Sequence, residues 1–223
     1  MKNKIVDLSM IIQEGMQTFA SNCHPFVEIT QLGRHGIEDR ETKKLILGTH
    51  TGTHIDAPRH FIKDGKTVES ISLEQLNGRA TVLDFSKYPD KTELSVADIK
   101  DKLNDESVER LIFRFDWDIK ALGTSRYYID HPYLSEDAAK WLVDMGCQLI
   151  ALDTPQPDNP KNGFGSEKDA PIHKILLSKD IVIAEYLVNI KSIQSKNPYL
   201  IVAPIKIKDG DGAPARCFAI DNF

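Results

Sequence analysis

Short runs of apolar, mostly β-branched residues recur along the chain, each bounded by polar or turn-forming residues. They predict strands near Ile5–Leu8, Val27–Leu32, Lys44–Leu47, Ala80–Phe85, Leu111–Phe115, Leu149–Leu152, Ile181–Ala184 and Leu200–Ile207. Helical signals fall between several of them. Ser72-Leu73-Glu74-Gln75 has the form of a capping box, with Gly78 as the stop. Ser95 caps a second short helix toward Leu103. Ser135 opens a third, with an apolar stripe of Ala138, Ala139, Leu142 and Val143 and an end at Gly146. A fourth spans Pro171 to Ser178.

Strands alternating with helices predict an α/β fold. The front of the chain has more strand than helix, so the sheet is expected to be mixed, with flanking helices. No repeat or linker divides the 223 residues, and 1–223 reads as a single domain with ample length for a core. The segment Asp153–Asp169 is rich in Pro, Asn, Asp and Gly. It reads as a long loop, and such loops in compact domains are often functional.

Composition acts mainly by exclusion. Hydrophobic residues make up 41% and charged residues 27%, an ordinary globular balance. A net charge of −5 with no basic run argues against nucleic acid, whose phosphates need clustered Lys and Arg. No stretch approaches the roughly 20 apolar residues of a membrane span. Asp7, Gln13 and Glu14 interrupt what would be the apolar part of a signal peptide. Cys23, Cys147 and Cys217 are odd in number and far apart, which fits neither a disulfide framework nor a Cys-x-x-Cys zinc motif. A cytoplasmic location is therefore expected.

The distinctive chemistry lies in His50-Thr51-Gly52-Thr53-His54-Ile55-Asp56-Ala57-Pro58-Arg59-His60. Its threonines, glycine and proline disfavour a helix. In an extended chain His50, His54 and Asp56 share one face, and two imidazoles with a carboxylate make a divalent-metal site. Gly52 is expected to leave room for the ion. The plain alternative is a turn carrying surface histidines, yet nothing in packing calls for such a cluster. Downstream, His173 opens a short helix and Glu185 closes the apolar run Ile181–Ala184, where a carboxylate needs a partner or a metal. Read singly, Glu185 is equally a plain strand-terminal residue, and His173 is more readily a plain helix N-terminal one. Asp209-Gly210-Asp211-Gly212 lacks the downstream Glu of a calcium loop and reads as a plain turn. Cys23 and Cys147 sit in no catalytic motif, and buried structural thiols are the commoner case. His24 and His35 have no evident partner. Trp117, Tyr127 and Tyr128 read either as core or as a wall for a flat substrate.

The motif His50-x-Gly52-Thr53-His54-x-Asp56-x-Pro58-x-His60-Phe61 resembles the signature of the cyclase-like metal-dependent hydrolases, the family of bacterial kynurenine formamidase and isatin hydrolase. The likeness extends through His131-Pro132, Asp153-Thr154-Pro155 and His173-x11-Glu185-x-Leu187-x-Asn189, nearly the whole chain. It implies a swivelling β/α/β domain, a homodimer and two divalent ions per subunit, zinc first and manganese as the alternative. It further implies His50, His54 and Asp56 as ligands, with Asp56 bridging to a second ion held by His173 and Glu185. His60 is implied as the proton-transfer residue. Phe19 stands where the formamidases carry a Trp on the substrate wall, and Phe115-Asp116-Trp117 stands where the family has Thr-Gly-Trp. Both departures are expected to bear on the pocket wall. The implied reaction is attack of metal-activated water on an amide, with an aryl formamide such as N-formylkynurenine, from tryptophan catabolism, as first substrate. Another amide, a lactam or a lactone is the alternative. A metal-stabilised binding protein without turnover is the reading from a different class, and five ligands for two ions, which leave room for water, favour an enzyme.

Overall fold

The structure, a computed structural model, describes residues 4–19 and 23–222. Met1–Asn3 of the N-terminal stretch read above, and Phe223, lie outside the described residues. In chain order the strands are β1 (Lys4–Asp7), β2 (Glu28–Gly33), β3 (Thr42–Ile46), β4 (His54–Asp56), β5 (Gly78–Arg79), β6 (Thr81–Asp84), β7 (Glu93–Leu94), β8 (Arg110–Arg114), β9 (Tyr133–Leu134), β10 (Leu149–Leu152), β11 (Val182–Glu185), β12 (Tyr199–Pro204) and β13 (Gly212–Asp221). The helices are α1 (Leu73–Leu76), α2 (Val96–Leu103), α3 (Trp117–Lys120), α4 (Arg126–Ile129), α5 (Glu136–Asp144) and α6 (Pro171–Leu177).

Eight strands follow the order β5-β12-β13-β4-β11-β10-β8-β6, and β1 adds to β13. The sheet is mixed, as the sequence predicts. Strands β6, β8, β10 and β11 run parallel, joined by crossovers that carry α2, α5 and α6. Strand β4 runs antiparallel to β11 on one side and to β13 on the other. The predicted N-caps are formed: Ser72, Ser95 and Ser135 accept from the backbone N–H of Gln75, Asp98 and Ala138, and Asp98 closes a capping box with Ser95.

Side-chain alternation makes two cores from one set of strands. Leu111, Phe113, Ile150, Leu152 and Ile183 pack with Ile99, Ala138, Leu142, Ile172 and Leu176 of the helices. Ile112, Leu149, Ala151, Val182 and Ala184 point the other way, toward Val6, Leu8, Leu200, Val202, Cys217 and Ala219. Each large apolar side chain buried contributes about 1.5–3 kcal/mol. Such burial on both faces lets a strand as short as β4 hold a fixed position. Ile55 joins the second core, so its neighbours His54 and Asp56 face the helical side.

Trp117 and Tyr127 are fully buried in the first core, where the Trp117 indole N–H donates to Tyr127 O at 3.0 Å. Phe115 is buried there too, so Phe115-Asp116-Trp117 belongs to the core and not to a substrate wall. No helix among the described residues is long and apolar enough to cross a membrane.

Candidate metal centre

Register brings the floor of the site together. Across β4 and β11, Glu185 lies directly opposite His54, and Ile183 opposite Asp56. His54, Asp56 and Glu185 therefore share one face at the end of the sheet. Strand β11 stops at Glu185 because Tyr186 turns to φ +57°, a left-handed conformation that costs about 1–2 kcal/mol in a non-glycine residue. The backbone there is held from two sides, by the Thr53 hydroxyl donating to Tyr186 O at 2.6 Å and by Tyr186 N–H donating to Thr154 O at 3.2 Å. His173 enters from the first turns of α6.

His50 arrives differently from expectation. Only His54–Asp56 is strand; His50 precedes it in a turn. Alternation along one strand thus accounts for His54 and Asp56, whereas His50 is folded back over them. Gly52 does not open space for an ion, since a Cβ there would meet Met16 and Ile12. Its role is the turn, at φ +59°, and its carbonyl oxygen, which faces His54 Nδ1 at 2.8 Å.

The Asp56 carboxylate divides its two oxygens. Oδ1 lies 2.7 Å from His50 Nδ1 and 3.3 Å from His54 Nε2. Oδ2 lies 3.1 Å from His173 Nε2, which is also 3.1 Å from Glu185 Oε1. Among the described residues three groups have metal-ligating geometry: His50/His54/Asp56 and Asp56/His173/Glu185, which share Asp56 and lie at the buried floor, and the less buried His50/His60/Asp211. All five expected ligands are therefore brought together. His60 ends the 3-10 turn Pro58–His60 beside them, its ring 4.0 Å from that of His50.

The donor set fits divalent ions. The Gly52 carbonyl can only accept, so His54 carries its proton on Nδ1 and presents the Nε2 lone pair. Asp158 does the same for His173, meeting Nδ1 at 2.5 Å while also accepting from the N–H of Ile172 and His173. His173 Nε2 then confronts two buried carboxylates, an arrangement that calls for positive charge between them. The electrostatics carry the same message. Burial opposes protonation of His50, but Asp56 and Asp211 outweigh it and push it up to about 10. Burial likewise opposes protonation of His173, and Asp158, Asp56 and Glu185 drive it well above the usual range. Burial and then Asp56 raise Glu185. Each shift answers the carboxylates gathered around Asp56.

The cavity above the floor measures about 200 Å³. Phe19, Phe61, Phe164 and Tyr186 supply rings to its lining, with Gln156 and Asn162 as amides, and among the described residues no Lys or Arg lines it. Phe19 packs edge-on to Tyr128 at 5.7 Å. His24 and Cys23 also line the cavity, which their isolated positions in sequence did not suggest. Burial, then His50 and His60, lower His24 to about 4. Cys23 is exposed at the rim and not a buried structural thiol; Cys147 is buried. His35 is exposed, and His131 is buried behind the cavity wall, 3.5 Å from the Gln156 amide. Asp158 and Asp211 are site residues that sequence reasoning missed. Asp158 lies in the loop singled out for its length, but two other aspartates, Asp153 and Asp169, bound that same polar loop.

Fold and centre together are those of a metal-dependent hydrolase. Residues 6–159 match the family described as putative cyclase, and the chain belongs to that family. It is 30% identical to kynurenine formamidase of Bacillus anthracis over 217 residues, which cover 96% of each chain. Among solved structures, it is similar to an isatin hydrolase bound to the product analogue thioisatinate (TM-score 0.87, 25% identity, 98% of this chain and 92% of that one). It is also similar to a potential metal-dependent hydrolase with cyclase activity (TM-score 0.75, 26% identity, 100% of both chains).

Proposed function

We propose that this protein is a two-metal amide hydrolase acting on an aryl formamide, with N-formylkynurenine as the first candidate and zinc as the first metal, manganese being the alternative. The observation that carries the reading is the Asp56 carboxylate, whose oxygens are shared between two ligand groups at the floor of a ring-lined cavity. The likeness to kynurenine formamidase along nearly the whole chain supports the substrate class. A lactam is the second reading, favoured by the similarity to the isatin hydrolase structure.

His50, His54 and Asp56 would hold one ion and Asp56, His173 and Glu185 the other. Ions at such a centre supply a hydroxide nucleophile, by lowering the pKa of water to about 7, and positive charge to offset the oxyanion. His60 takes the proton of the attacking water and returns it to the leaving amine nitrogen, work that suits an imidazole. Phe19, Phe61 and Phe164 flank a planar aryl group. With no Lys or Arg among the described lining residues, the aryl group is held by rings and by the amides of Gln156 and Asn162.

A cytoplasmic homodimer belongs to the same proposal. The thiols of Cys147 and Cys217 are buried and not disulfide-bonded, in keeping with a reducing compartment. Leu32, Ile37 and Leu45 are exposed in and beside the β2–β3 hairpin, an apolar surface suited to a second copy. The test is hydrolysis of N-formylkynurenine, formanilide, isatin and an aryl lactone by protein stripped with chelator and reloaded with Zn2+ or Mn2+. Formamide turnover lost on stripping and restored by metal is expected. Turnover of none of the four by fully loaded protein would sink the reading.

A further inference from the structure

The turn before β13 joins the centre through one carboxylate. Asp211 Oδ2 lies 2.8 Å from His50 Nε2 and 3.3 Å from His60 Nδ1. The proposed ligand and the proposed proton carrier are thus tied to the same oxygen. Each contact uses the ring nitrogen that the chemistry leaves over: His50 turns Nδ1 toward Asp56, and a His60 that donates from Nδ1 keeps Nε2 as its acceptor.

The placement of Asp211 is fixed, although its side chain is 38% exposed. Its carbonyl oxygen accepts from Ala57 N–H at 2.9 Å, and that of Gly210 accepts from Val68 N–H at 2.9 Å. Asp209 N–H donates to Glu69 Oε1 at 2.7 Å. Gly212 pairs with Asp56 in the sheet. A Cβ at Gly212 would lie 2.6 Å from His50 Cε1, so glycine there lets the imidazole lie against the turn. A turn built merely to reverse the chain has no need of these contacts. The plain-turn reading of residues 209–212 is corrected accordingly.

We propose that Asp211 is a positioning residue that orients two imidazoles at once, holding His50 with Nδ1 toward the metal centre and His60 with Nε2 toward the substrate. The inference rests on the metal-hydrolase reading above. A carboxylate behind a ligating imidazole fixes its tautomer and strengthens it as a ligand, and losing such a partner typically weakens metal binding about 10–100-fold. Here the same substitution also frees the proton carrier, so metal affinity and turnover fall together.

The experiment is a Zn2+ titration in competition with a colorimetric chelator, on wild type, Asp211→Ala, Asp211→Asn and Asp209→Asn, with circular dichroism as the control for folding. Asp211→Ala is expected to bind Zn2+ about 10–100-fold more weakly at unchanged stoichiometry. At saturating Zn2+ its kcat falls while KM stays near the wild-type value. Asp211→Asn keeps an oxygen acceptor and recovers part of both losses, and it carries the test alone if the alanine variant misfolds. Asp209→Asn removes a charge from the same turn without touching either ring and keeps wild-type affinity. Unchanged affinity and kcat in a folded Asp211 variant overturn the proposal. So does a matching loss in Asp209→Asn, which would mean a general field effect, or the loss of one whole ion from the stoichiometry, which would make Asp211 a ligand. A wild type that binds no Zn2+ overturns the metal reading and this inference with it.

Discussion

At the floor of the cavity, His54, Asp56, His173 and Glu185 are no more than 4% exposed and stand on β4, α6 and β11. At its rim, Phe19, Cys23 and Phe164 come from loops, and Phe164 is 89% exposed. Floor residues are fixed twice over, by sheet register and by an acceptor behind the imidazoles of His54 and His173. At the rim Phe19 is placed by ring contacts with His24 and Tyr128, not by sheet register. Preorganised chemistry needs the first arrangement, since a ligand displaced by a fraction of an ångström weakens the site. Substrate choice tolerates the second, and loops are where it can vary at small cost to stability.

Substitutions at the floor should therefore be drastic and those at the rim graded. Asp56→Ala removes the one carboxylate shared by both ligand groups and should abolish metal binding and turnover together, measured by elemental analysis and by hydrolysis at saturating Zn2+. Retention of two ions would break the distinction outright. His173→Ala, or Glu185→Ala, should lose one ion and leave the His50/His54/Asp56 group occupied. His60→Ala tests the border between the regions. It should keep its metal while kcat falls about 10²–10⁴-fold, the usual contribution of a positioned proton carrier. A wild-type rate would remove His60 from the mechanism. Phe164→Ala, at the rim, should raise KM about 2–10-fold, the equivalent of one aromatic contact, with kcat and metal content unchanged. A large fall in kcat there would mean that the rim loop takes part in the chemistry.

The same division governs what the sequence discloses. Buried strands such as β10 and β11 are continuous apolar runs, so periodicity finds them within a residue. Strand β13 escapes that reading because Gly212, Pro214 and Arg216 interrupt its apolar positions, although it pairs with β1, β4 and β12. Pairing partners far away in sequence, not local pattern, make it a strand. In the centre, the His50–His60 cluster is legible because its residues are close in sequence and chemically unusual. His173 and Glu185 become legible as ligands only through the family resemblance. Asp158 and Asp211 stay hidden, because an aspartate in a polar loop looks the same whether it faces water or a histidine. Gly52 was legible as important but for a different reason than the one the turn reveals.

The decisive measurement is anomalous diffraction at the zinc edge from crystals of the Zn2+-loaded protein. Two peaks are expected, one among His50, His54 and Asp56 and the other among Asp56, His173 and Glu185, with His60 and Asp211 bound to neither. A single peak held by His60 and Asp211, or no peak at the Asp56 carboxylate, would contradict the division of labour between floor ligands, proton carrier and the carboxylate that orients them.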